Sequence, residues 1–162
     1  MIRIQDVLQE HVLVGVRLIG IEGVRRTLTP WFYHDDCGTA AVFRLTEDLV
    51  IEKCFWINLD NPLSTLAQIE EESANWRGGG LLSIRYSAEP AIATLDITLF
   101  KQLKHLGKCR PITFHNHIVL TRSHPPLCLR RHEGPDRFDL QEARRKRRRR
   151  AGKPLVLQEA SS

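Results

Sequence analysis

The sequence predicts a mainly β domain of the α+β class, an antiparallel sandwich or jelly-roll-like fold with one or two inserted helices. Short apolar stretches rich in β-branched residues recur between residues 11 and 121, which is typical of strands. Successive strands without helical crossovers favour antiparallel pairing. After residue 122 the hydrophobic periodicity ends, and prolines and charges dominate. We therefore expect a core domain over residues 1–122 and a disordered basic tail over residues 123–162.

The composition supports a folded domain with a differently charged tail. The chain has 162 residues, of which 42% are hydrophobic and 27% charged, enough for a core without disulfides or metal. Residues 1–121 carry 12 Lys or Arg and 14 Asp or Glu, a net charge of −2. Residues 122–162 carry 12 basic and 5 acidic residues, a net charge of +7. A near-neutral body with a basic tail indicates a polyanionic partner.

The cysteine pattern indicates reduced thiols. The four cysteines contain no CxxC pair, and Arg3, Asp6 and Glu10 interrupt any apolar leader segment. We therefore expect separate thiols and a reducing compartment. No apolar run approaches the roughly 18 residues of a membrane span.

The first half of the body predicts three strands and a loop. Residues 11–21 are almost wholly apolar and include two glycines that would weaken a helix, so a strand is expected. Residues 27–36 contain Pro30 and paired aspartates, which predict a loop. Two further strands are expected over residues 39–45 and 49–57, around a short turn.

The middle of the chain predicts the clearest helix, over residues 61–76. Asn61 can cap it, Pro62 suits its first position, and apolar residues recur at helical spacing. The triple glycine at 78–80 predicts a flexible stop, and residues 81–87 a strand. Residues 94–106 predict a second helix, with a strand over residues 95–100 as the alternative.

The stretch from Ile112 to Thr121 predicts the last long strand of the domain. Its residues alternate, and we expect Phe114, Ile118 and Leu120 to be buried together on one face. His115 and His117 fall on the opposite parity. The two histidines could ligate a metal with a third ligand from elsewhere, but two histidines on a less buried face are the simpler interpretation.

The strongest functional signal is an uninterrupted run of seven cations in the tail. It exceeds what solubility requires and predicts salt-sensitive, sequence-indifferent binding to a polyanion. The predicted nucleic-acid-binding residues are Arg130, Arg131, Arg144, Arg145, Lys146, Arg147, Arg148, Arg149 and Arg150. The expected partner is single-stranded nucleic acid, with RNA favoured, and no cofactor is expected. An acidic membrane surface and a nuclear import receptor are further expectations from the same run, and self-association is a separate expectation for the protein.

Landmarks along the body resemble the core of plant virus movement proteins of the thirty-kilodalton superfamily. They are Trp31, Asp35-Asp36-Cys37 before a strand, Ile84-Arg85-Tyr86, Asp96, and Gly107-Lys108-Cys109-Arg110-Pro111 before the last strand. The resemblance spans residues 11–122. It implies a jelly-roll-like domain with a basic tail, cooperative coating of single-stranded nucleic acid, and Asp48 as the signature acidic residue. It also implies a place in the host cytoplasm and at plasmodesmata, with the nucleus reachable through the basic run.

The sequence therefore predicts a non-enzymatic viral movement protein that binds nucleic acid. A capsid-like or silencing-suppressor RNA-binding protein is the alternative within the binding class. A metal-dependent hydrolase is the alternative from another class, and it would use His34, Asp35, His115 and His117.

Overall fold

A computed structural model describes residues 13–18, 20–32 and 39–130. The helices are α1 (Gly20–Phe32), α2 (Pro62–Ser73) and α3 (Thr94–Cys109). The strands are β1 (Thr39–Leu45), β2 (Ile51–Trp56), β3 (Gly80–Tyr86), β4 (Thr113–Leu120) and β5 (Leu127–Cys128). They form one sheet in the order β2-β1-β3-β4-β5.

The α+β class is confirmed, but the sheet is mixed rather than antiparallel. β1 pairs antiparallel with β2 and β3, and β5 pairs antiparallel with β4. β3 and β4 are parallel, because α3 connects them as a crossover. The prediction of a sandwich or jelly roll omitted this crossover. In the described residues a single sheet is covered by helices, not by a second sheet.

Helices pack against both faces of the sheet and create two cores. On one face, Leu18 and the α1 residues Val24 and Leu28 pack with sheet residues such as Phe43 and Ile84. On the other face, Leu66 and Ile69 of α2 and Leu99 and Leu103 of α3 pack with Val42, Leu81 and Phe114. The central strands are therefore buried on both sides, which explains their nearly continuous apolar sequence.

The prediction for residues 11–36 was wrong where the structure describes them. A helix runs from Gly20 to Phe32, where the sequence predicted the end of a strand and the start of a loop. Val24 and Leu28, four residues apart, are fully buried while Arg26 is exposed. Packing of this apolar stripe outweighs the low helix propensity of the glycines. Of the predicted strand, only an isolated bridge between Arg17 and Val50 remains among the described residues.

The other predicted elements are confirmed with shifts of a few residues at their ends. β1, β2, α2, β3 and β4 lie where the sequence placed them, and α3 is the helix of the two alternatives. The sheet extends past residue 122, because β5 pairs with β4 and the Arg130 amide donates a hydrogen bond to Asn116. Residues 131–162 lie outside the described residues.

The triple glycine at 78–80, which leads into β3, is closely packed against neighbouring chain segments, whereas the sequence predicted a flexible stop. Gly79 has φ +74, and a Cβ there would lie 2.4 Å from the carbonyl oxygen of Leu45. A Cβ on Gly80 would lie 2.4 Å from Nε2 of His115. Distances this short exclude any side chain, so glycine lets the chain pass between β1 and β4.

A β-bulge in β4 changes which side chains share a face. Leu81 pairs with Phe114 and Leu82 with Asn116, so His115 is the additional residue. Phe114 consequently faces α3, whereas Ile118 and Leu120 face the α1 side. All three residues are buried as predicted, but Phe114 lies on the opposite face from the other two.

The cysteines and the helices of the described residues concern two further expectations, separate thiols and the lack of a membrane span. Cys54, Cys109 and Cys128 form no disulfide with each other, and Cys37 lies outside the described residues. No described helix has the length and apolar character needed to cross a bilayer.

Candidate nucleic-acid interface

A buried polar network attaches the start of α3 to the two parallel strands. The Asp96 carboxylate accepts hydrogen bonds from Nε of Arg85 at 2.7 Å and from the Ala93 amide, at the N-cap of α3, at 2.6 Å. Nε2 of His117 lies 2.7 Å from the same carboxylate, and Nδ1 of His117 lies 2.7 Å from Oγ of Ser83. Asp96, His117 and Ser83 are all 0% exposed.

The environment of the network sets its protonation states. Burial alone would raise the pKa of Asp96, but the hydrogen bonds from His117, Arg85 and the Ala93 amide lower the pKa to about 2. Burial lowers the pKa of His117 below its ordinary value, and the Arg85 charge acts in the same direction. A neutral His117 donates a hydrogen bond from its Nε2–H to Asp96 and accepts one from the Ser83 hydroxyl at Nδ1.

Ser83, His117 and Asp96 are the residue types of a catalytic triad, but their burial indicates a structural role. A nucleophile has to reach a substrate, and neither the Ser83 hydroxyl nor the His117 ring is exposed. The network fixes the position of α3 on β3 and β4.

The network predicts that the free energy of unfolding depends on pH. Because the folded pKa of His117 is lowered, the unfolded chain binds a proton below about pH 6.5 that the native state excludes. The free energy of unfolding should therefore decrease as pH falls from 6.5, by at most about 1.4 kcal/mol per pH unit for this group. Asp96 adds its own loss only between about pH 4 and its folded pKa of about 2.

Urea melts of the parent and of His117→Gln between pH 7.5 and 5 measure this dependence. Glutamine retains a donor for Asp96 and an acceptor for Ser83 but does not titrate, so the slope should become shallower. His105→Gln, at an exposed position outside the network, is the matched control with which the slope of His117→Gln is compared. Parallel slopes for the parent and His117→Gln would show that His117 is not the titrating group.

Close packing at the other end of α3 completes its attachment. The Phe100 and Phe114 rings meet edge-on with their centroids 5.7 Å apart. Gly107 lies inside the helix, and a Cβ there would approach the Cβ of Phe114 to 3.0 Å. Nε of Arg110 donates to Oγ of Ser73 at 3.3 Å, which connects the end of α3 to the end of α2.

The outer face of α3 carries a one-sided basic stripe. Its members recur at positions i, i+3, i+4 and i+7, so that they share one face of the helix. They are Lys101, Lys104, His105 and Lys108, of which all but the partly buried Lys104 are exposed. The only acidic residue of α3 is Asp96, and it is buried on the opposite side. The stripe therefore places positive charge on the side of α3 opposite Asp96.

Beside the basic stripe, α2 and α3 enclose an open groove of about 460 Å³. Leu66, Leu103 and Leu106 contribute apolar surface to it, and Leu63 on α2 is 60% exposed. Polar side chains complete the lining. They are Glu70 on α2 and Gln102, His105, Cys109 and Arg110 at the α3 side. His105 belongs to both the basic stripe and the groove.

Of the predicted nucleic-acid-binding residues, Arg130 is the one that lies within the described residues. Arg130 is half-buried, and its Nη1 donates to the carbonyl oxygens of Phe114 and His115, where β4 bulges. Its amide donates to Oδ1 of Asn116. Arg130 thus has a structural role that the sequence did not predict. Arg131 and the seven cations from Arg144 to Arg150 lie outside the described residues.

Asp48 lies exposed in the turn between β1 and β2, and its carbonyl oxygen accepts a hydrogen bond from Arg17 at 3.2 Å.

The sequence placed His115 and His117 together on a less buried face, and this is wrong, because both residues are buried and their rings lie on opposite faces of the sheet. A side chain at Gly80 would point to the α1 side, as Leu82 does, and would meet the ring of His115. His117 contacts Asp96 of α3 on the other face. The bulge therefore separates the two rings. Within residues 13–18, 20–32 and 39–130, no three His, Cys, Asp or Glu side chains are placed to hold a metal ion. His34 and Asp35 are outside these ranges.

The basic stripe was missed although its signal is present in the sequence. Lys101, Lys104 and Lys108 recur at helical spacing within residues 94–109, and a search for charge periodicity would have found them. The groove has no comparable signal, because it depends on how α2 and α3 pack. A search against protein-family models and a search of curated proteins found no match to the chain.

Proposed function

We propose that the protein binds nucleic acid without catalysing a reaction, and that the basic stripe on α3 is the folded part of its interface. The observation that carries this proposal is the one-sided placement of Lys101, Lys104 and Lys108 on a rigidly attached helix. Lysines on one helix face can contact successive phosphates of a strand. The seven cations of the tail would extend the same electrostatic contact.

The tail and the stripe make different contributions in this proposal. A tail that neutralises on the order of six phosphates gives a log–log salt slope near −4 on single strands. Three lysines of the stripe add about −2. Phosphate contacts position a protein without reading bases, so affinity should vary little with sequence.

The resemblance to movement proteins supports a narrower proposal. In it the protein coats a single-stranded genome, preferentially RNA, and helps it pass through plasmodesmata. In it the seven cations from Arg144 to Arg150 contact the phosphates of the strand, and self-association gives cooperative coating. An acidic membrane surface or an import receptor would compete for the same cations.

A filter-binding titration on RNA and DNA strands of equal length, across several salt concentrations, tests the proposal. The parent should show a slope near −6, and deletion of Arg144–Arg150 should leave about −2. Adding Lys101→Gln, Lys104→Gln and Lys108→Gln to the deletion should bring the slope close to zero.

The matched control replaces three cations elsewhere on the body, Arg25, Arg26 and Lys53, with glutamine in the same deletion background. This control should retain the slope of about −2, because these residues lie on α1 and β2. If the salt slope decreased equally for both triple variants, net charge alone would account for binding, and the stripe would not be part of the interface. A parent that binds neither RNA nor DNA but binds anionic vesicles would overturn the nucleic-acid proposal.

A further inference from the structure

We propose that the groove between α2 and α3 holds an unpaired base of a bound strand while the basic stripe holds its phosphates. This inference rests on the proposed nucleic-acid binding and assigns a second subsite to the same interface. It gives the protein a physical means of preferring single strands over duplexes.

The position of the groove supports this assignment. The groove and the stripe lie side by side along α3 and meet at His105, which belongs to both. A nucleic-acid strand that runs along the lysines therefore faces the solvent on one side and the groove on the other. Its volume of about 460 Å³ and its open form allow a planar group to enter from the side of α3.

The chemistry of the lining suits a base. Leu66, Leu103 and Leu106 are buried and form the apolar bottom of the groove, and the exposed Leu63 offers apolar surface for the face of a ring. Bases outside a duplex are commonly held between aromatic or apolar side chains. The Gln102 amide can donate and accept hydrogen bonds, and the Glu70 carboxylate can accept one from an exocyclic amine.

Charge is distributed unequally across the groove, and this distribution would orient a bound nucleic-acid strand. The α3 side carries the cations of the stripe and Arg110, whereas the α2 side carries Glu70. A phosphate is attracted to α3 and repelled from α2, so that the base rather than the backbone points towards α2. A duplex keeps its bases stacked and paired, so that no base is available to enter the groove.

The exposed thiol of Cys109 provides a probe inside the groove. Its Sγ lies 3.5 Å from Nε2 of His105, and Cys54 and Cys128 are buried. The experiment measures the alkylation rate of Cys109 by iodoacetamide in the native full-length protein, with peptide mapping to separate the cysteines. The added ligands are a single-stranded RNA, a duplex with the same number of phosphates, inorganic polyphosphate and poly-glutamate, each at a concentration that saturates binding.

We expect the single strand to slow alkylation of Cys109 about fivefold or more, and the other ligands to leave the rate close to that of the free protein. If the single strand binds but does not protect Cys109, the groove assignment is overturned while nucleic-acid binding stands. Equal protection by duplex or polyphosphate would show that the groove does not take a base. Protection by poly-glutamate alone would assign it to an acidic peptide. Absence of nucleic-acid binding would overturn the proposed function together with this inference.

A matched pair of variants tests the same subsite by affinity. Leu63→Ser removes exposed apolar surface from the groove and should weaken single-strand binding about fivefold, with duplex binding unchanged. Ile92→Ser is the control, because Ile92 is 43% exposed and does not line the groove. Equal affinities of the parent and Leu63→Ser for the single strand would contradict the base-binding role of Leu63.

Discussion

Replacing Asp96 with alanine should lower the free energy of unfolding by about 3–5 kcal/mol. The carboxylate is fully buried and accepts hydrogen bonds from Arg85, His117 and the Ala93 amide. Alanine would leave these three donors in a buried site without their acceptor, and buried unsatisfied donors are costly. Denaturant melts followed by tryptophan fluorescence and circular dichroism would measure the loss.

The control for this prediction is Asp60→Ala, because Asp60 is exposed in the turn before α2. It should change stability by no more than about 0.5 kcal/mol. Asp96→Asn keeps one oxygen acceptor and should fall between the parent and Asp96→Ala. A melt of Asp96→Ala that superimposes on the parental curve would show that the network contributes nothing to stability.

Replacing Phe114 with alanine should also lower stability, by about 3–5 kcal/mol. Phe114 is 4% exposed and fills the space between the sheet and α3, where it contacts Phe100 and lies close to Gly107. Deleting the ring removes apolar contacts and leaves a cavity that a rigid helix cannot close completely.

Ile97→Ala is the matched control for Phe114→Ala. Ile97 is an apolar residue of the helix that Phe114 supports, but it is 44% exposed, so its truncation should have a small effect. Equal midpoints for Phe114→Ala and the parent would show that the ring does not pack under α3. Because the same packing holds the basic stripe in place, Phe114→Ala should also weaken nucleic-acid binding in the tail-deleted protein.

Local sequence determined the elements whose signals are contained in a few neighbouring residues. Pro62 at the first helical position and an apolar stripe specify α2, and a leucine periodicity specifies α3. The apolar stretches of β1, β2 and β4 were recognisable because β-branched and aromatic residues recur in them. The charge run of the tail is likewise a property of composition, and its predicted partner remains a prediction.

Only the tertiary structure decided the strand directions, the faces and the interface. The parallel pairing of β3 and β4 depends on where α3 returns the chain, and the bulge at His115 reverses the face that alternation assigned to Phe114. Residues 20–32 form a helix because Val24 and Leu28 find a buried surface on the sheet. The network of Ser83, Arg85, Asp96 and His117 joins two strands and a helix that are up to 34 residues apart in the chain. Such contacts depend on packing between distant segments, which no local window of sequence contains.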